Sequence, residues 1–137
     1  MCETDDMKPT ADLSVAAALA AAPPAIKTVA FPDRRLNREW QTMAAMVKIY
    51  CRDRHGATAA LCANCAGLLA YASVRLDRCR FGAEKPTCAM CPVHCYQRDR
   101  REQVRVIMRC AGPRMLWEHP LMSLWHWLDS FRHAPAL

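Results

Sequence analysis

The sequence predicts a small all-α domain with irregular cysteine-rich metal-binding loops, preceded by a disordered N-terminal segment. Three observations point to it. Apolar side chains recur every three or four residues in four segments, the spacing of a helix face packed on a core. No segment alternates convincingly at period two, so strands have no support. Seven of the nine cysteines fall between Cys51 and Cys95, in or beside the connections between those segments.

Residues 1–33 hold an acidic start, an alanine-rich run from Leu13 to Ala22, Pro23-Pro24 and Pro32, with few large apolar side chains. Such a segment buries too little surface to offset its ordering entropy, so it is expected to be disordered apart from a transient helix at Leu13 to Ala22. The helical domain is assigned to residues 34–137. Asp33 is placed to cap a first helix with Leu36, Trp40, Met43, Val47 and Tyr50 on one side, Cys51 near its end and Gly56 as its stop. A second helix is expected to follow Cys62 and Cys65, with Leu68, Leu69, Ala72 and Leu76 on one face, and to run to Arg78. Phe81-Gly82 through Pro86 reads as a turn, and Pro92 prevents helix through the next pair of cysteines. Asp99 and Glu102 have capping-box spacing for a third helix carrying Val104, Ile107, Met108 and Ala111. Gly112-Pro113 is expected to end that helix and open the next. Leu121, Leu124, Trp125, Leu128 and Phe131 form an amphipathic stripe after Pro120.

The cysteines carry the chemistry. Cys62/Cys65 and Cys88/Cys91 are C-x-x-C pairs, and Cys95 extends the second to C-x2-C-x3-C. A tight turn directs two such sulfurs at one ion, so these pairs with Cys51 and Cys79 are the expected ligands of a structural zinc or an iron–sulfur cluster. Disulfides fit less well. The cysteine count is odd, and the acidic N-terminus has the wrong charge for a secretion signal. Leu13 to Ala22 is too short to span a bilayer. A reduced, cytoplasmic protein without membrane attachment is expected. The ligand pairing stays open at this point. Four thiolates close one tetrahedral site, and the remaining three need His55 or His94 to close another. Three are enough to hold a [4Fe–4S] cluster with one iron open. Cys62/Cys65 with Cys88/Cys91 leaves 22 residues between the pairs, whereas Cys79, Cys88, Cys91 and Cys95 fit in one 17-residue stretch. Cys110 is expected to be a small core residue. His119, His126 and His133 have no spaced partner and read as ordinary histidines.

Charge is the second signal. The chain carries +6 overall, and the stretch from Arg34 to Arg114 holds 14 Arg and 2 Lys against 6 acidic residues. Arg98, Arg101, Arg105 and Arg109 recur by three or four along the third helix, a basic stripe suited to RNA or DNA phosphates. Equally, seven thiolates supply negative charge for these arginines to balance. No acid/base constellation supports an enzyme: Asp77, Glu84 and Glu102 read as capping or ion-pair residues.

Several strings carry a family resemblance: Ile49-Tyr50-Cys51-Arg52, Leu61-Cys62-x-x-Cys65, and Arg75-Leu76-Asp77-Arg78-Cys79-x-Phe81-Gly82. Two further ones are Lys85-Pro86-Thr87-Cys88-x-x-Cys91-Pro92-x-His94-Cys95-Tyr96 and Gly112-Pro113-Arg114-Met115. With them the run from about Asn37 to Pro120 resembles the bacterial nitrous oxide-stimulated promoter family. The resemblance implies an iron–sulfur protein of the nitrosative-stress response that helps cells withstand or recover from nitric oxide by sensing, scavenging or supporting metabolism. Nitric oxide, which reacts with thiolate-bound iron, is then the expected small-molecule ligand. The alternative is a zinc-stabilised helical module that binds RNA or DNA through the arginine stripe.

Overall fold

The computed structural model describes residue 31, residues 33–88 and residues 90–132. Among these residues four α-helices follow one another: α1 (Arg34–His55), α2 (Ala63–Asp77), α3 (Arg98–Glu118) and α4 (Pro120–Asp129). A 3-10 turn at Gly82–Glu84 interrupts the connection from α2 to α3, and no strand occurs among the described residues. The class is all-α, as the periodicity predicts. None of these helices is long and apolar enough to cross a membrane.

The first helix organises the rest. Asp33 Oδ1 accepts the backbone N–H groups of Arg35 at 2.7 Å and Leu36 at 3.4 Å, which satisfies two of the orphan donors at the helix start. At the other end Gly56 takes a left-handed φ of 65° and returns its N–H to the Cys51 carbonyl. Between these caps the predicted face of Leu36, Trp40, Met43, Val47 and Tyr50 is buried in full. Ala44, Met46 and Ile49 are buried as well, because α1 lies against α2, α3 and α4 and its apolar surface wraps beyond one stripe. Leu68, Leu69 and Ala72 of α2 and Val104, Ile107, Ala111 and Met115 of α3 complete the core. Phe31 meets Trp40 edge-on at 6.1 Å and joins this core from just ahead of the cap. The rest of the expected disordered segment, with Cys2, lies outside the described residues, as does His133.

Three boundaries differ from the sequence expectation. The second helix starts between its two cysteines rather than after them, with Cys62 as its N-cap. Asp99 does not cap α3; Gln97 occupies that position and Asp99 lies in the first turn, where its charge complements the helix dipole. Gly112-Pro113 does not end α3, which runs on to Glu118. Proline inside a helix costs about 3 kcal/mol. Ala111 and Met115, buried on either side of Pro113, tie both segments to α1 and outweigh that cost. The break comes instead at His119 (φ −137°, ψ 64°), with Pro120 at the first position of α4.

The amphipathic stripe of α4 is present but faces solvent. Asp129 is the one residue of α4 that is buried. Its carboxylate lies 3.9 Å from Arg35 Nη2, 3.8 Å from Arg38 Nη2 and 3.4 Å from Arg132 Nε. Arg35, itself buried, also lies 3.9 Å from Glu39. A buried guanidinium needs anionic neighbours, and α4 is turned so that Asp129 supplies one. Replacing Asp129 with alanine leaves Arg35 under-compensated and is expected to lower stability by about 3–5 kcal/mol. The exposed Glu102–Arg105 pair serves as the control. Its loss in Glu102→Ala should cost no more than about 1 kcal/mol. Chemical denaturation of the metal-loaded chain reads both, and equal effects would show that the buried charges do not hold α4.

Candidate metal centre

Helix geometry assembles the first site. Cys51 and His55 are four residues apart in the last turn of α1, so both side chains leave the same face. Gly56 then reverses the chain, and the short loop to Leu61 delivers Cys62 to the N-cap of α2 and Cys65 to its first turn. One ligand atom from each of Cys51, His55, Cys62 and Cys65 lies within 4.8 Å of the others, the only such group among the described residues. His55 Nδ1 is 3.2 Å from Cys62 Sγ and 3.5 Å from Cys65 Sγ. A tetrahedron built with metal–sulfur bonds of about 2.3 Å has edges of roughly 3.8 Å, so this spacing fits one ion.

The surroundings resist the charged form of two of the three sulfurs and favour it at the third. Cys51 and Cys65 are fully buried, and burial pushes both thiols up. For Cys62, burial works in the same direction. It is outweighed by the Cys65 N–H directed at its sulfur and by the neighbouring thiols, and the net shift is downward. Backbone N–H groups serve as outer-shell donors: Cys62 N–H points at Cys51 Sγ at 3.3 Å, and Cys65 N–H at Cys62 Sγ at 3.5 Å. Three thiolates this close repel one another, and a bound metal ion removes that repulsion. His55 is exposed, with its ring held edge-on by Tyr50 at 5.5 Å. Together they make a closed Cys3His donor set that can hold a metal ion.

The other four cysteines gather elsewhere. Cys79 follows the end of α2, and Cys88, Cys91 and Cys95 lie in the irregular stretch before α3. All four line one cavity with Lys85, Tyr96 and Arg101, without converging as tightly as the first group. Lys85 is buried, and its Nζ donates to Cys88 Sγ at 3.2 Å and to the Pro86 carbonyl at 3.1 Å while lying 3.8 Å from Glu39 Oε2. Burial opposes the Lys85 charge, but the neighbouring sulfurs and Glu39 outweigh it and favour the protonated amine. That fixed cation lowers the cost of a thiolate at Cys88, although partial burial of the sulfur keeps this thiol above its ordinary range. Burial and the nearby sulfurs also push up Cys95 and the Tyr96 hydroxyl. All seven clustered cysteines are free thiols.

The two C-x-x-C pairs therefore do not share a site. His55 joins three of the seven cysteines, and His94 lines the second cavity. The i, i+4 spacing of Cys51 and His55 was the available signal for the histidine. Lys85 carried no chemical signal of its own, because its role depends on burial. Of the arginine stripe, Arg98, Arg105 and Arg109 are exposed, whereas half-buried Arg101 turns toward the thiols. Cys110 is half-buried against the core, but it is disulfide-bonded and not the free core thiol expected. His119 and His126 are half-buried and belong to neither thiol group.

Cys65→Ser is expected to remove one metal equivalent per chain and lower the thermal midpoint, because site formation and folding are coupled. Cys88→Ser should retain that equivalent after dialysis against a mild chelator. Affinity at the first site should fall as pH falls, since protons compete for thiols that burial already pushes up. Elemental analysis of the dialysed variants checks the assignment. Equal metal loss from both variants would refute the partition.

The chain is 45% identical over 104 residues to the protein YgbA of Escherichia coli (strain K12), covering 76% of this chain and 88% of that one. No solved structure matches. The model of the nitrous oxide-stimulated promoter family matches residues 34–137, which include both thiol groups and all four helices. This chain is a member of the nitrous oxide-stimulated promoter family.

Proposed function

We propose that this chain is a two-centre thiolate–metal protein that helps a bacterial cell withstand or recover from nitric oxide. The observation that carries the proposal is the division of seven free thiols into a tight Cys3His set and a looser four-cysteine set around a buried lysine. In this reading the first set holds zinc, for which a closed four-ligand site with sulfur and imidazole donors is usual. Its role is structural. It clamps the end of α1 to the start of α2 and so positions the rest of the domain.

The second set would hold an iron–sulfur cluster through Cys79, Cys88, Cys91 and Cys95. Four thiolates are the usual protein ligands of such a cluster, and hydrogen bonds and solvent exposure tune it. Lys85 donates toward Cys88 and balances negative charge, and Arg101 adds a second cation at the cavity wall. Cys95 is exposed, so a small neutral molecule can approach this group from solvent. Iron bound there would supply reactivity toward nitric oxide. The family name links these proteins to expression stimulated by nitrogen oxides. Sensing, scavenging and metabolic support all follow from that chemistry, in a reduced cytoplasmic setting.

A second reading, nucleic-acid binding, is favoured by the exposure of Arg98, Arg105 and Arg109 on one face of α3. It predicts affinity that falls with salt, with a smaller slope in Arg105→Gln.

Isolation without oxygen tests the leading reading. The expected result is one zinc per chain together with iron and acid-labile sulfide. Nitric oxide should bleach the iron–sulfur absorbance while zinc and helical content persist. Cys91→Ser should lose the iron and keep the zinc. Wild-type protein that is fully folded with no iron, or whose iron absorbance does not respond to nitric oxide, would overturn the proposal.

A further inference from the structure

α4 is inverted relative to an ordinary surface helix. At 100° per residue, Leu121, Leu124, Trp125, Trp127 and Leu128 occupy an arc of about 160°. All five are exposed, Leu121 by 72%. The opposite face carries the buried Asp129 and the half-buried Met122 and His126. The arc continues to Phe131, whose ring meets Trp127 edge-on at 4.9 Å, and Trp117 in the preceding last turn of α3 is 88% exposed. Asp129 locks this orientation, because rotating the apolar arc inward would pull the carboxylate away from Arg35 and Arg38. The outward face is thus a consequence of buried charge.

We infer that this face, α4 together with the last turn of α3, is the contact surface for a second copy of this chain. Eight large apolar side chains between Leu116 and Phe131 are 44–88% exposed. Taking roughly 150–250 Å² for each aromatic and somewhat less for each leucine, the open area is on the order of 1,000 Å². The largest apolar patch of a typical monomer is about 300–600 Å², whereas each partner in a standard stable interface buries about 800 Å². The exposed area matches the second figure.

Charge decides between a second copy and a lipid surface. Residues 115–131 contain no lysine or arginine in a chain of net charge +6. Helices that lie on membranes use a cationic polar face to engage anionic lipid. The polar face of α4 is turned inward and carries an aspartate. Two copies meeting through this segment bring together no cationic residue of the segment itself, and Arg38, which lies over the Trp125 ring at 5.3 Å, is paired with Asp129. Two such faces related by a two-fold axis contact each other with the same residues, which is how most soluble dimers close. Tryptophans, two of which flank the leucines of the arc, are a residue type enriched among those that dominate interface energetics.

The test is the mass of the full-length, metal-loaded chain in solution, measured by sedimentation velocity and light scattering across a dilution series. A concentration-dependent dimer is expected. The double variant Leu121→Glu/Trp127→Glu should raise the dimer dissociation constant at least about tenfold, with metal content and helical circular dichroism retained. Should that variant lose helicity, Trp117→Glu carries the same expectation at a side chain with little folding role. A wild-type chain that stays monomeric throughout overturns the inference, as do folded variants that dimerise as tightly as the wild type. A monomer that instead co-sediments with phosphatidylcholine/phosphatidylglycerol vesicles would assign the face to lipid and refute it too.

Discussion

Three sulfurs and an imidazole meeting at the junction of α1 and α2 are the constraint on which the domain depends. Cys51 and Cys65 are buried, and Cys62 caps the helix that Cys65 begins. Without a cation the buried Cys51 and Cys65 thiols resist ionisation. With one they cross-link the two helices. Structural zinc in small domains supplies on the order of 10–16 kcal/mol at neutral pH. A whole domain is stable by only about 5–15 kcal/mol. Zinc binding, as proposed for this junction, would be of the same size as the net stability of the fold. The short core of α1, α2 and α3 is consistent with a domain that relies on such a staple.

A second physical thread runs through buried charge. Asp129, Arg35, Glu39, Lys85 and Cys88 form a chain of contacts from α4 to the second thiol group. Most of these contacts are 3.8–3.9 Å long, so they act as charge pairs more than as directed hydrogen bonds. Arg35 and Lys85 balance Asp129 and Glu39 along this series, which ends on the Cys88 thiol of the four-cysteine loop. The same thread sets the orientation of α4 and exposes its aromatic face. One electrostatic requirement thus shapes both the loop that holds the sulfurs and the surface at the far end of the helix.

The core was largely legible in the sequence. The first-helix stripe, its aspartate cap and its glycine stop are local properties, and all are realised. The pairing of Cys62 with Cys65 was legible as well, because C-x-x-C spacing reflects what a single turn can deliver. The end of α3 was misread at Gly112-Pro113, where buried Ala111 and Met115 override the local signal. Amphipathic periodicity in α4 was legible too, but periodicity does not state which side of a helix faces the core.

Composition, cysteine spacing and helical period determined by themselves that this is a helical, thiol-rich, basic domain of a recognisable family, since each rests on neighbours within a turn or two. Tertiary structure alone decided which sulfurs share a site, that His55 joins them, that Lys85 is buried beside Cys88 and that α4 presents its tryptophans to solvent. These outcomes depend on side chains brought together from distant segments, and on where unpaired charge can be tolerated once the core has closed.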